Sequence, residues 1–431
     1  MQRHEDEAGR LDSDLQHGSG VASAARNRAR ICMLSFYFSP AYSGSAEQAH
    51  NLSRRLLRRG LLLEVVSANL TGSPPVEELG GVRVRRLPIL KKKTFQIPSF
   101  SLSLAWYLFR HRSEYQIVHA HGTFQHAVAS VICRALGKKS ILKIAMGNSD
   151  LAFQRQGRTW GRINRFLVRR FDRYIATSAE VYRECVAHGL EESRVRLIPN
   201  GVDTAKFRPA AFDEERRRAR RDLQLPDKPI VCFVGIMDAR KNVDGILRVW
   251  RSVVRSGAVG HLVLVGPEPL DDGGERSEFC EQLRRFVAEE GLTETVTFTG
   301  RQEDVASYLR SADIFFFPSR REGMPNVLLE AMASGLACVA SNIGGSVDLI
   351  DDDHTGCLVP LDDEDSMAGR IQTLLIDVSR SRELGRAARQ AVVEGFSLEV
   401  TAERYMRLYQ ELLTERSRLV RRNKKSAGDT P

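Results

Sequence analysis

Residues 322–335 read EGMPNVLLEAMASG and set two carboxylates, Glu322 and Glu330, eight residues apart. At about 100° per residue, a helix here wraps Val327, Leu328, Leu329, Ala331, Met332 and Ala333 around most of its circumference. Glu330 and Ser334 share the narrow sector that remains. A helix apolar all round is a buried one, and a buried carboxylate without partners costs several kcal/mol. A cation or a ligand must therefore meet Glu330. Either an internal arginine pairs with it while Glu322 faces water, or both acids serve a ligand. The second chemistry is specific. Gly323, Met324 and Pro325 make the turn, and Asn326 is expected as the N-cap. The amides of Asn326, Val327 and Leu328 then point out of the helix end, where amides and dipole favour phosphate. Glu330 would accept from a vicinal diol such as a ribose, and Glu322 from hydroxyls at the other end of the ligand. Two acids spanning a row of phosphate-binding amides suit a nucleoside diphosphate sugar.

Other residues offer complementary chemistry. Lys241, in VGIMDARKN (234–242), follows a strand and opens a helix, and can neutralise a diphosphate as a point charge. Read alone, it is as well a solvated lysine; Arg240 beside it is a second cation. Gly44, in Ser43-Gly44-Ser45, allows a backbone to approach a ligand closely. His119 and His121 in HAHG are expected on opposite sides of a strand end, one packing and His121 facing a cleft. Gly344 and Gly345 line a cleft or make a turn. No His/Cys/carboxylate cluster has metal-ligand spacing and no DxD pair sits at a loop, so neither metal nor cofactor is expected.

The elements that must hold these residues are legible as short apolar runs alternating with helical patterns. ICMLSF, LLEVVS, VRVRRL, QIVHA, SILKIA, RYIATS and VRLIP form one series of strands; PIVCFVG, HLVLVG, TVTFTG, DIFFFP, ACVAS and GCLVP form a second. Continuous apolar strands between helices imply parallel sheets covered on both faces. The separator FDEERRRARRDLQLPDKP (212–229) divides the series. The expectation is an α/β protein of two tandem, Rossmann-like, doubly wound parallel-sheet domains facing a cleft. The boundaries read as a disordered leader 1–28, an N-terminal domain 29–205, a C-terminal domain 206–395, a helix within 396–414 and a basic tail 415–431. That helix either caps its own domain or crosses back. Ligands of open parallel sheets bind beyond the carboxyl ends of the strands, where all the motifs above lie.

Composition sets the frame: 431 residues, 42% hydrophobic, 27% charged. That length exceeds one ordinary core. No run of 18 apolar residues predicts a spanning helix, and the polar N-terminus is not a secretory signal. Seven cysteines without a CxxC read as reduced core residues of a cytosolic protein. The net charge of +10 is concentrated in Arg155–Arg173, in Arg416–Lys425 and in Lys91–Lys93. Such clusters suit an anionic membrane surface on the cytoplasmic side, or phosphorylated substrates; solvated helix faces and a frayed tail are the alternative. No nucleic-acid partner is expected.

Over about residues 30–413 the chain resembles the retaining nucleotide-sugar glycosyltransferases of the GT-B fold, in particular glycosyltransferase family 4. The resemblance rests on EGMPNVLLEAMASGLACVAS, IPNGVD (198–203), IVHAHG (117–122), VGIMDARKN, IGGSVDLI (343–350) and TGCLVP (355–360). It implies transfer of a sugar, with retention, from a nucleoside-diphosphate sugar to a saccharide or lipid-linked acceptor, as in cell-surface polysaccharide or glycolipid synthesis. Glu322 would contact the sugar hydroxyls, Glu330 the ribose, and Lys241 the diphosphate with the amides of 326–328. His121 would sit near the anomeric carbon and Gly44 near the leaving phosphate. Front-face attack would need no protein nucleophile, and the last helix would return to the first domain. Three departures stand out: Ile236 where the family often has Arg, SGSAE where a Gly-Gly pair is usual, and Asp348 where Glu is common. Ile236 and the SGS loop keep a non-catalytic, donor-binding scaffold as an alternative; a sugar-nucleotide epimerase is another.

Overall fold

The computed structural model describes residues 29–40, 43–122, 124–146, 150–151, 158–269 and 277–428, without the side chains of 158 and 416–428. The expected leader 1–28, Arg155 and the side chains of the basic C-terminal cluster lie outside the described residues.

Two sheets form. The first contains β1 (Arg30–Ser35), β2 (Leu62–Ala68), β3 (Val76–Leu79), β4 (Val82–Leu87), β5 (Ile117–His121), β6 (Lys139–Ile144), β7 (Arg173–Ala176) and β8 (Val195–Leu197). Its order is β3-β4-β2-β1-β5-β6-β7-β8. The second contains β9 (Ile230–Val234), β10 (His261–Val265), β11 (Val296–Gly300), β12 (Ile314–Phe317), β13 (Ala337–Ser341) and β14 (Cys357–Val359), ordered β11-β10-β9-β12-β13-β14. All pairs of the second sheet are parallel. Every residue of β5, β9, β10, β12 and β13 is buried, because helices cover both faces and no position can be polar without cost. These are the two parallel-sheet α/β domains that the alternating pattern predicts. In both sheets the strand order reverses between the first strand and its later neighbour, β1/β5 and β9/β12, so each has a switch point at its carboxyl edge.

One strand escapes the sequence reading. β3, VEEL, pairs antiparallel with β4 across Gly80 (φ +56°) and Gly81 (φ +81°), the left-handed pair that a tight hairpin demands. Its half-exposed alternation and two glutamates hide it among loop residues.

The described residues cluster into two compact units. One comprises those of 1–142, 159–173 and 406–431; the other comprises those of 143–158 and 174–405. In the first, helix Lys93–Arg110 packs on helix Val128–Ala135, and Ser130 Oγ donates to Leu167 O at 2.7 Å, joining that helix to helix Arg158–Val168. The last helix, Leu398–Gly428, carries Tyr409, whose hydroxyl lies 2.8 Å from His119 Nδ1 on β5. Lys139 Nζ and Arg173 both meet Glu415 of the same helix. In the second unit the core includes Phe233, Trp250, Phe315, Phe317, Leu329 and Met332. All seven cysteines are buried and none forms a disulfide.

Candidate functional site

The switch point of the second sheet lies between β9 and β12. β12 is four buried aromatic and aliphatic residues, and it fixes the start of the loop 318–325. β9 leads into a single helical turn, Ala239–Lys241, capped by Asp238, whose Oδ1 accepts from Lys241 N at 2.8 Å. Asn242 then adopts φ +58° and starts helix Val243–Arg255; Asn tolerates that left-handed position better than most residues. The two loops are tied backbone to backbone, Arg320 N to Arg240 O at 2.9 Å. Ser341 Oγ of β13 anchors Ser319 O at 2.6 Å.

This frame brings Lys241, Arg240 and Glu322 together. Glu322 Oε1 accepts from Lys241 Nζ at 2.6 Å, Arg240 Nη1 at 2.9 Å and Ser319 Oγ at 2.8 Å. The Glu322 and Lys241 side chains are 10% and 11% exposed, that of Arg240 40%. Lys241 Nζ also stands 5.1 Å from the centre of the Phe317 ring. Asp238 Oδ2 lies 3.8 Å from Arg240 Nη2, so two cations stand against two carboxylates in a largely desolvated cluster, and both cations lie on the loops at the carboxyl edge of the sheet. Arg240, undirected in the sequence, supplies a cation on the loop where Ile236 stands, 40% exposed, in place of the family Arg.

The helix beyond the loop runs Asn326–Ala333. Its N-cap is Pro325, not Asn326, and no side chain caps it. Proline fixes the entry φ and leaves the first amides pointing outward. Asn326 Oδ1 instead accepts from Asn200 Nδ2 at 2.8 Å, and Asn200 N donates to Met324 Sδ at 3.2 Å. Nor is the helix buried all round. Asn326, Val327 and Glu330 are half-buried and share one sector of about 100°, whereas Ser334 is buried and donates to Glu330 O at 2.8 Å. Glu330 keeps contact with water, so the desolvation argument for a ligand is weaker than the sequence suggests.

Close packing explains the glycines. A Cβ on Gly323 would lie 1.7 Å from Ala145 O, and one on Gly345 would lie 2.1 Å from Gly323 O. Gly344, at the start of the short helix Gly344–Val347, leaves no room beside Glu180 Oε2. Asp348 accepts from Ala179 N at 2.6 Å, at the start of helix Ala179–Ala187, a favourable place for a carboxylate.

Gly44 and His121 belong to the first unit. Gly44 is the first residue of helix Gly44–Arg58, behind an N-cap Ser43 whose Oγ accepts from Ala46 N at 3.1 Å, rather than part of an open loop. His121 ends β5 in register with Ser35, the last residue of β1, at that sheet's switch point. His119 and His121 do not point to opposite sides. Their rings are 4.7 Å apart and tilted by 36°, and both are buried. Residues two apart on a strand share a face, so the opposite expectation fails on geometry.

Sequence reasoning missed Asn200, Asp238 and Ser319. Asn200 was visible as the polar centre of IPNGVD; the serine and the aspartate carry no local signal beyond their type. Among the described residues no group of His, Cys, Asp and Glu could hold a metal, and no helix is long and apolar enough to cross a membrane.

Comparison with known proteins agrees with this architecture. Residues 42–206 match the model of Glycosyltransferase Family 4, and residues 228–377 that of Glycosyl transferases group 1. The D-inositol 3-phosphate glycosyltransferase of Nocardia farcinica is 29% identical over 418 residues, 90% of each chain. The structure of a sucrose-phosphate synthase from Thermosynechococcus elongatus superposes with a TM-score of 0.74 at 25% identity, covering 90% of this chain and 100% of that one. Anabaena HepE in complex with UDP-glucose has the same fold, with a TM-score of 0.71 at 16% identity over 89% of this chain and 99% of that one. With both domain models matched in order along a GT-B architecture, the chain belongs to the glycosyltransferases of the family 4 and group 1 type.

Proposed function

We propose that this glycosyltransferase moves a sugar, with retention at the anomeric carbon, from a nucleoside-diphosphate sugar to a saccharide or lipid-linked acceptor. The observation that carries the reading is the meeting of Lys241, Arg240 and Glu322 at the β9/β12 switch point, beside a helix N-terminus that no side chain caps. Lys241, Arg240 and the amides of 326–328 hold the diphosphate, Glu322 the sugar hydroxyls and Glu330 the ribose. Gly323, Met324 and Pro325 shape the loop between. UDP-glucose bound to Anabaena HepE supports this donor class, and the inositol phosphate in the Nocardia relative's name supports a hydroxyl acceptor. His121 and Gly44 take their roles, near the anomeric carbon and the leaving phosphate, from the family resemblance alone.

The chemistry is electrostatic. The bond from the anomeric carbon to the phosphate oxygen breaks, the acceptor oxygen bonds to the same carbon from the same face, and the acceptor's proton passes to the departing phosphate. Lys241 and the helix amides stabilise charge that develops on that phosphate. No resident metal is needed, so a chelator should leave turnover unchanged. The test is incubation with a panel of nucleotide sugars and acceptors, with NMR of donor and product. Retained anomeric configuration supports the reading and inversion refutes it. Donor altered without acceptor marks an epimerase, and binding without turnover marks a scaffold.

A further inference from the structure

The first unit carries a surface that the transfer chemistry does not use. Helix Lys93–Arg110 buries Phe100, Leu104, Tyr107 and Leu108. Directly opposite, about half a turn away, Phe95, Leu102, Trp106 and Phe109 fall within an arc of about 60°. All four are exposed, Leu102 by 75% and Trp106 by 66%. A helix that is apolar toward the core and apolar again toward solvent has an unfilled partner. Its ends are basic: Lys91 and Lys92 precede it, Lys93 and Arg110 are its first and last residues, and Arg112 follows.

Helix Arg158–Val168 repeats the construction. Trp160, Ile163 and Phe166 are exposed, Trp160 by 63%. Around Phe166, five arginines (134, 162, 165, 169 and 170) line a groove of about 450 Å³. The Arg170 guanidinium lies 3.9 Å over the Phe166 ring. Helix Val128–Ala135 stands between the two, packed on the first and hydrogen-bonded through Ser130 to the second. The three helices form one layer and contain not a single Asp or Glu.

We infer that the outer face of this helix layer docks on an anionic lipid surface. The stripe of Leu102, Trp106 and Phe109 enters the headgroup–acyl boundary, Trp106 and Trp160 sit at its polar edge, and the arginine groove takes lipid phosphates. Charge decides the occupant. A second copy would bring the same positive face against itself, whereas an anionic bilayer offers phosphates to the groove and an apolar layer to the stripe. The inference concerns the first unit alone and stands whether or not the donor reading holds.

The protein contains three tryptophans, and Trp250 is buried, so a change in emission reports Trp106 and Trp160. The full chain is mixed with vesicles of phosphatidylglycerol and phosphatidylcholine, or of phosphatidylcholine alone. Expected are co-sedimentation and a blue shift with the anionic vesicles only, weakened by salt. Leu102→Glu/Trp106→Glu should lower the affinity at least about tenfold at an unchanged thermal midpoint, since both side chains are exposed. Arg162→Ala/Arg169→Ala should flatten the salt dependence. No sedimentation at low salt, equal binding to neutral vesicles, or wild-type binding by the Leu102/Trp106 variant would overturn the inference. So would self-association of the wild type that the same variant abolishes.

Discussion

The two switch points of this molecule share a topology and differ in chemistry. Between β9 and β12 the candidate side chains lie on loops and are held by charge: one carboxylate oxygen accepts from a lysine, an arginine and a serine. Between β1 and β5 they lie in the strand itself, as two buried histidine rings side by side, one of them bonded to Tyr409 almost three hundred residues on. The sheet order fixes where a ligand can bind, but what it binds is decided by the few side chains at the carboxyl ends of the strands and in the loops beyond them. The charged loops suit the phosphates of the proposed donor. The histidine pair offers shape and hydrogen bonds instead.

The comparison breaks most visibly at Glu322 and Lys241. Glu322→Ala or Lys241→Ala should lower turnover by about 10²-fold or more, with circular dichroism unchanged; wild-type rates in both purified variants would remove the charged loops from the chemistry. Next comes Lys143 on β6, whose ammonium burial lowers to about 7. An ordinary lysine titrates near about 10.4. Between those values the unfolded chain binds the extra proton, so stability should rise with pH from about 7 upward, by up to about 1.4 kcal/mol per pH unit. Below pH 7 the cost of burying the charge is complete. Urea unfolding across that range should show the slope, and Lys143→Met should flatten it. Gly323→Ala must push a methyl into Ala145 O; a loss of about 1–3 kcal/mol is expected, with weakened donor binding by calorimetry. The smallest effect is Tyr409→Phe, which removes the hydrogen bond to His119 and should cost about 1 kcal/mol. A wild-type unfolding curve for that variant would detach the last helix from the histidine pair.

Much of this was legible in the sequence because the central strands are buried on both faces, so β9, β10, β12 and β13 read as nearly uninterrupted apolar runs. β3 was not, since an edge strand with Glu77 and Glu78 looks like a loop. At the site, the residue types were legible and the partnerships were not. Nothing local says that Glu322, Lys241 and Arg240 meet, because that depends on β9 and β12 being neighbours, a long-range fact. Glu330 is less enclosed than its neighbours imply for the same reason: a helical wheel shows which residues are apolar, not which sector the fold leaves open, and here Asn326, Val327 and Glu330 share the open one. The histidine expectation failed on simple strand geometry, and Asn326 is the first helical residue behind Pro325, with its side chain held by Asn200.

The seven thiols, each enclosed in the interior, have a practical consequence. Burial holds the Cys232 and Cys338 sulfhydryls far above the ordinary thiol range, so neither is a nucleophile while the fold persists. Alkylating reagents and peroxide should spare the native protein and mark only molecules that have opened, which makes covalent labelling of its sulfur a record of how often each half of the chain comes apart.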